Sequence, residues 1–208
     1  MIKDIIKEFF PLIEKSTPDW LNTIIKKDNI TLESYLWYSD FCNRIRVCEL
    51  TIKDKLKAET LVIYPRKYYE TPIFGTEYLE ISDKKYFGAI DFHPVSDNKE
   101  YLSYMEMFPD IKQNKSKIYD LEKYFSEKFW IRKDNKDFYN EYQIILKCYL
   151  HQYKKCLYNS QLKSVSYLNK HQKYNEHMSL YDPAYGILKN YFPEEFVKKY
   201  IQGFLFLD

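Results

Sequence analysis

Residues 73–92 read IFGTEYLEI-SDKK-YFGAIDF. Two runs rich in aromatic and β-branched residues flank a polar stretch, Ser82-Asp83-Lys84-Lys85. The pattern predicts strands over 73–81 and 86–92 joined by a turn. Gly75, near the start of the first run, marks a bulge or a close approach of another group. Upstream, ETLVIY at 59–64 predicts a third strand, ending at Pro65 where a ladder donor is lost. Further back, Tyr35, Trp37, Ser39 and Phe41 alternate with other residues, then Ile45, Val47, Glu49, Thr51 and Lys53 do the same. These predict two more strands, with a hairpin turn near Asn43. Pro65 and Pro72 bound one connection, and Pro94 closes the last strand. Successive strands with short connections imply an antiparallel meander.

Helical spacing surrounds this block. Ile2, Ile5, Ile6, Phe9, Phe10 and Ile13 share one face of a predicted helix over 2–15, interrupted at Pro11. Pro18 predicts a second short helix running towards Ile25. After the strands, a helix is expected over 117–128 and a short extended piece over 129–132. Phe138, Tyr142, Ile145, Tyr149 and Tyr153 then recur at intervals of four and three, a core-facing stripe. Residues 161–179 are polar and helical in character. Asp182-Pro183 reads as an N-cap with proline in the first turn, and Pro193-Glu194-Glu195 opens a last helix carrying Phe196, Tyr200 and Phe204 on one face. The expected fold class is α/β: a three-layer α/β/α sandwich with a central antiparallel sheet, in one domain over 1–208.

Composition narrows the function. The 208 residues carry 32 Lys+Arg against 30 Asp+Glu, a net charge of +2, which argues against a dedicated nucleic-acid binder. The N-terminus alternates charged and apolar residues without a clean apolar core, so no signal peptide is expected. No window approaches the run of about 18 uncharged apolar residues that a spanning helix needs. The expected setting is cytoplasmic. Cys42, Cys48, Cys148 and Cys156 form no CxxC pair and read as reduced thiols. Four scattered glycines exclude both GxGxxG and a P-loop, and the histidines do not cluster for a metal. The aromatic content is high, with 22 Tyr, 14 Phe and 3 Trp. It reflects an AT-rich coding sequence, or it lines a site for a flat conjugated ligand.

Two acidic positions stand out. Asp91 interrupts an apolar strand, so it faces solvent or sits in a pocket that raises its pKa. His93 points to the same strand face, making a proton-handling pair plausible. Asp182 is an N-cap or a second acid. Arg44, Arg46, Arg66 and Arg132 lie on or beside predicted strands, where they either bind carboxylates or belong to a solvated face.

Several segments together resemble one family. Tyr64-Pro65-Arg66 followed by Pro72-Ile73-Phe74-Gly75 resembles the "FP…P-hydrophobic-FG" stretch of ferredoxin-dependent bilin reductases. Ile90-Asp91-Phe92-His93-Pro94 resembles that family's central strand, and Phe129-Trp130-Ile131-Arg132 its short "F-I-R" segment. The run Tyr181-Asp182-Pro183-Ala184-Tyr185-Gly186-Ile187-Leu188-Lys189-Asn190-Tyr191-Phe192, with the closing Phe204-Leu205-Phe206, resembles its C-terminal helix and tail. The ordered set is similar most of all to the viral phycoerythrobilin synthases.

The resemblance implies an α/β/α sandwich that binds biliverdin IXα and holds no metal, flavin or nicotinamide. Reduced ferredoxin would supply electrons singly, and the protein would supply protons. Asp91 and Asp182 would be the catalytic acids, with His93 as a proton relay. Arg44, Arg46, Arg66 and Arg132 would meet the propionates, and Phe74, Phe92 and Tyr185 the rings. Phycocyanobilin-forming members carry a glutamate where this chain has Tyr64-Pro65-Arg66-Lys67, so their A-ring-side vinyl chemistry is not carried over. The implied reaction is a four-electron reduction to phycoerythrobilin through 15,16-dihydrobiliverdin. Alternatives are a two-electron reductase stopping at 15,16-dihydrobiliverdin or at a phytochromobilin-type product, a non-catalytic bilin carrier, and a small interaction domain. The implied state is a monomer in a bacterial or phage-infected cell, with no nucleic-acid or membrane partner.

Overall fold

The computed structural model describes residues 2–66, 71–93, 126, 129–159 and 168–206. They fall into two compact units, Met1–Lys163 and Ser164–Asp208.

The first unit is built on an eight-stranded sheet. In chain order it contains α1 (Ile2–Phe9), β1 (Ile13–Glu14), β2 (Ile24–Lys27), β3 (Ile30–Tyr38), β4 (Cys42–Ile52), β5 (Leu56–Pro65), β6 (Ile73–Ile81), β7 (Lys85–His93), β8 (Trp130–Asp134) and α2 (Tyr139–Asn159). The spatial order is β1-β3-β4-β5-β6-β7-β8, with β2 also paired to β3. Every pairing is antiparallel. The mixed α/β class and the antiparallel meander are therefore as the sequence implies.

Tight connections set the register. Lys55 N donates to Ile52 O at 3.0 Å, and Lys84 N to Ile81 O at 3.1 Å. Asp54, Ser82 and Asp83 hold φ angles of 58°, 51° and 52°. Short polar side chains tolerate this left-handed region better than branched ones do.

The N-terminal expectations need correction. The first helix stops at Phe9, because Pro11 cannot continue it, and Ile13 joins β1 instead. No helix follows Pro18. Leu21 N closes a turn onto Pro18 O at 2.8 Å, and Ile24-Ile25 pair with Glu33 and Leu32 as an edge strand. The β-branched pair and an available sheet edge outweigh the start signal of the proline. Gly75 makes no bulge; the irregularity lies between Cys42 and Arg44. The helix expected over 117–128 and the closure at Pro94 lie outside the described residues.

One sheet face carries the core. Ile45, Val47, Leu61, Ile63, Phe74, Tyr78, Ile90 and Phe92 pack with Ile2, Ile5 and Ile6 of α1 and with Tyr142, Leu146, Tyr149 and Tyr153 of α2. The stripe legible on α2 is thus the core stripe. Each fully buried aromatic of this kind contributes about 2 kcal/mol of transfer free energy. Some of the buried polar atoms are satisfied as the face closes. Glu59 accepts from Ile2 N at 2.8 Å and Lys57 Nζ at 2.9 Å, and the Tyr142 hydroxyl lies 2.7 Å from Thr76 Oγ1.

The second unit is helical in its described part: α3 (Leu168–Tyr181), α4 (Ala184–Leu188), α5 (Glu194–Tyr200) and a π-helical turn over Ile201–Phe206. Phe196, Tyr200 and Phe204 stack at centroid distances of 5.7 and 5.2 Å, the face expected for the last helix. Among the described residues, no helix is long and apolar enough to cross a membrane.

Candidate functional site

Strand pairing places the candidate residues. Arg46 pairs with Val62, Val62 with Gly75, and Gly75 with Asp91, forming one row across β4 to β7. Arg44 pairs with Tyr64 in the next row of the same face. At about 4.8 Å per strand, Arg46 and Asp91 start about 14 Å apart. Side chains alternate across a strand, so Arg44, Arg46, Tyr64, Gly75, Asp91 and His93 all belong to the face opposite the core.

Asp91 is the most unusual of them. It is 1 % exposed, on a strand whose neighbours Ile90 and Phe92 are fully buried. Ser126 grips both of its carboxyl oxygens: the backbone N donates to Oδ2 at 2.9 Å and the hydroxyl reaches Oδ1 at 2.5 Å. Burial pushes the Asp91 carboxyl up to about 7, against the opposing effect of the Ser126 bonds. Such a group holds or releases a proton near neutral pH.

His93 lies beside it, with Nδ1 3.5 Å from Asp91 Oδ2. The imidazole leans across the neighbouring strand onto Gly75. A Cβ at residue 75 would stand only 2.6 Å from His93 Nε2. Gly75 is therefore a close approach rather than a bulge, and it is the space His93 occupies.

Arg44 and Arg46 are 7 % and 4 % exposed, and their guanidinium carbons lie 4.3 and 5.3 Å from the centre of the Tyr64 ring. This is a cation–π arrangement on one shared ring. It holds two planar cations on the Asp91 face.

Four of the residues singled out in the first unit lie elsewhere. Phe74 and Phe92 point to the core, both 0 % exposed, with Tyr153 5.3 and 5.6 Å from their centres. Arg132 is also on the core side, ion-paired to Asp134 at 2.7 Å and to Glu141 at 2.5 Å. Arg66 is exposed, 4.0 Å from the exposed Asp40. Neighbours in a strand point oppositely, so Phe92 could not share a face with Asp91.

In the second unit, Asp182 precedes α4. Its Oδ1 accepts from Ala184 N at 2.7 Å, although the N-cap falls at Pro183 rather than at Asp182 as the sequence implied. Burial nevertheless pushes its carboxyl up to about 6, against that bond. Tyr185, on α4, donates to Glu194 Oε1 of α5 at 3.2 Å.

Ser126 is the site residue the sequence did not reveal. It lies 35 positions from Asp91 and in no motif. The Tyr64 platform was within reach, since writing out the strand register places it beside Arg44. Among the described residues, no group of three or more His, Cys, Asp or Glu could hold a metal.

A family model described as ferredoxin-dependent bilin reductase matches residues 2–207. A 15,16-dihydrobiliverdin:ferredoxin oxidoreductase of Prochlorococcus marinus is 31 % identical over 204 residues, covering 90 % of this chain and 86 % of that protein. The protein of the same name from Nostoc punctiforme is 26 % identical over 193 residues, covering 86 % and 79 %. Among solved structures, tomato phytochromobilin synthase in complex with biliverdin superposes with a TM-score of 0.78 at 17 % identity, covering 99 % of this chain and 81 % of that one. That likeness is one of fold.

Proposed function

The chain belongs to the ferredoxin-dependent bilin reductases, and from that premise we propose that it reduces biliverdin IXα to 15,16-dihydrobiliverdin. Two electrons and two protons saturate the C15–C16 bond. The electrons come singly from reduced ferredoxin, and no metal, flavin or nicotinamide resides in the protein. The names of the relatives support this product.

The observation that carries the reading is Asp91: a carboxyl 1 % exposed, raised to about 7, gripped by Ser126 and 3.5 Å from His93. Electron transfer to a bilin yields a radical anion, whose basicity exceeds that of the neutral pigment. A dry carboxylic acid at neutral pH is suited to protonate it. Asp91 is the catalytic acid, and His93 stands beside its Oδ2 as the second proton-handling group. Arg44 and Arg46 take the propionates, since a guanidinium fork matches a carboxylate and Tyr64 keeps both planes in place.

Asp182 favours a second reading, a four-electron reduction on to phycoerythrobilin, because it is another carboxyl raised well above the ordinary range.

The test is anaerobic turnover with ferredoxin, its reductase and NADPH. The biliverdin band should bleach and move to shorter wavelength, and chromatography identifies the product. Asp91→Asn should bind biliverdin with unchanged affinity and turn over about 100-fold or more slowly, accumulating a radical species. Wild-type turnover by that variant removes Asp91 from the mechanism. Stable pigment binding with no spectral conversion by the wild type makes the protein a carrier.

A further inference from the structure

Ser126 makes two different contacts with one carboxyl group. Its backbone N–H donates to Asp91 Oδ2 at 2.9 Å, and its hydroxyl faces Oδ1 at 2.5 Å. The two donors are not equivalent. An amide N–H donates in every protonation state and never accepts. It therefore reserves Oδ2 as an acceptor whether Asp91 is charged or neutral. The proton of the neutral carboxyl is left to Oδ1. There its neighbour is a hydroxyl, which donates to the carboxylate and accepts from the carboxylic acid by rotating one O–H bond.

We propose that Ser126 is the positioning residue of this site: its amide directs the proton of Asp91 to Oδ1, and its hydroxyl exchanges donor and acceptor roles as that proton leaves and returns. This rests on Asp91 being the proton donor to the bilin. No covalent step is involved; the serine ends each cycle as it began, with its own proton.

Two features fix the geometry. Phe129 N donates back to Ser126 O at 3.2 Å, which ties the serine to the segment entering β8. Among the described residues, His93 on the same strand is the titratable group beside Asp91, while Tyr149 of α2, on the core side of the sheet, is held well above the ordinary range by burial and by the Asp91 charge. Strand β6 presents Gly75 opposite Asp91, so β6 itself sends no side chain there and the imidazole of His93 takes the space. Without the Ser126 hydroxyl, the carboxylate keeps the Ser126 and Phe92 backbone donors but loses one donor, and burial acts on Asp91 less opposed.

The experiment follows the carboxyl directly. In ligand-free protein labelled at the aspartate carboxyl carbons, the Asp91 resonance is assigned by its loss in Asp91→Asn and titrated by NMR. Ser126→Ala should raise the midpoint by about one pH unit or more. Ser126→Thr keeps a hydroxyl and should titrate as the wild type. The pH profile of bilin reduction by Ser126→Ala should move in the same direction as the resonance. A Ser126→Ala midpoint equal to that of the wild type overturns the proposal, and so does a Ser126→Thr midpoint displaced like that of alanine. These titrations need no turnover. If Asp91→Asn reduced biliverdin normally, the functional reading would fall, while the carboxyl titration would still decide the role of Ser126.

Discussion

Gly75 shows how much a missing side chain can do. Its place opposite Asp91 is taken by the imidazole of His93, which a methyl group would meet at 2.6 Å. Gly75→Ala should move the ring away from the Asp91 carboxyl. The expected outcome is altered His93 ring resonances and a fall in turnover of about tenfold or more, with biliverdin still bound. Unchanged resonances and rate would show that His93 does not depend on this space. The pairing of Asp91 with His93 was legible in the sequence, since residues two apart on a strand share a face. The seat on Gly75 was half legible, as a close approach left open beside a bulge. Ser126 was not legible, because nothing in local sequence links it to a carboxyl 35 positions earlier.

At the scale of elements, the pleat of the strands separates two jobs. Phe74 and Phe92 stack on Tyr153 of α2, while Gly75 and Asp91 beside them face the other way. Aromatic residues next to a candidate acid invite assignment to the same ligand, and strand parity is what forbids it. Arg132 fails for the same reason: it pairs with Gly88 and serves Asp134 and Glu141. Helix α4 poses the opposite question, since Asp182 both accepts the Ala184 amide and carries a raised pKa. Asparagine can accept the Ala184 amide as aspartate does but cannot donate an acidic proton. Asp182→Asn should therefore keep the helix content measured by circular dichroism and change the products seen by chromatography. An unchanged product spectrum would leave Asp182 with its hydrogen bond to Ala184 alone.

Over the whole molecule, the buried Asp91 links stability to pH. The folded chain holds the Asp91 proton up to about pH 7, whereas an unfolded chain releases it near 3.9. The folded state binds more protons between those values, so this contribution to stability is complete below about pH 4, declines as pH rises, and levels above about 7. A gap of about three pH units corresponds to about 4 kcal/mol. Urea unfolding should therefore show the wild type losing stability relative to Asp91→Asn between pH 5 and 7.5, with the difference constant beyond. Parallel curves would place Asp91 in a wetter setting than its burial indicates. The helix misread after Pro18 also belongs to this scale, because β2 exists only through its pairing with β3, which a local start signal does not report.

The row from Arg46 through Val62 and Gly75 to Asp91 has one consequence for engineering. From Arg44 onward, every second residue of β4 to β7 belongs to the Asp91 face, and the residues between them belong to the core face. A combinatorial library confined to alternate positions would vary the Asp91 face while inheriting an intact framework. The pleat already divides the alphabet for the experimenter, and a shift of one position would exchange the two libraries.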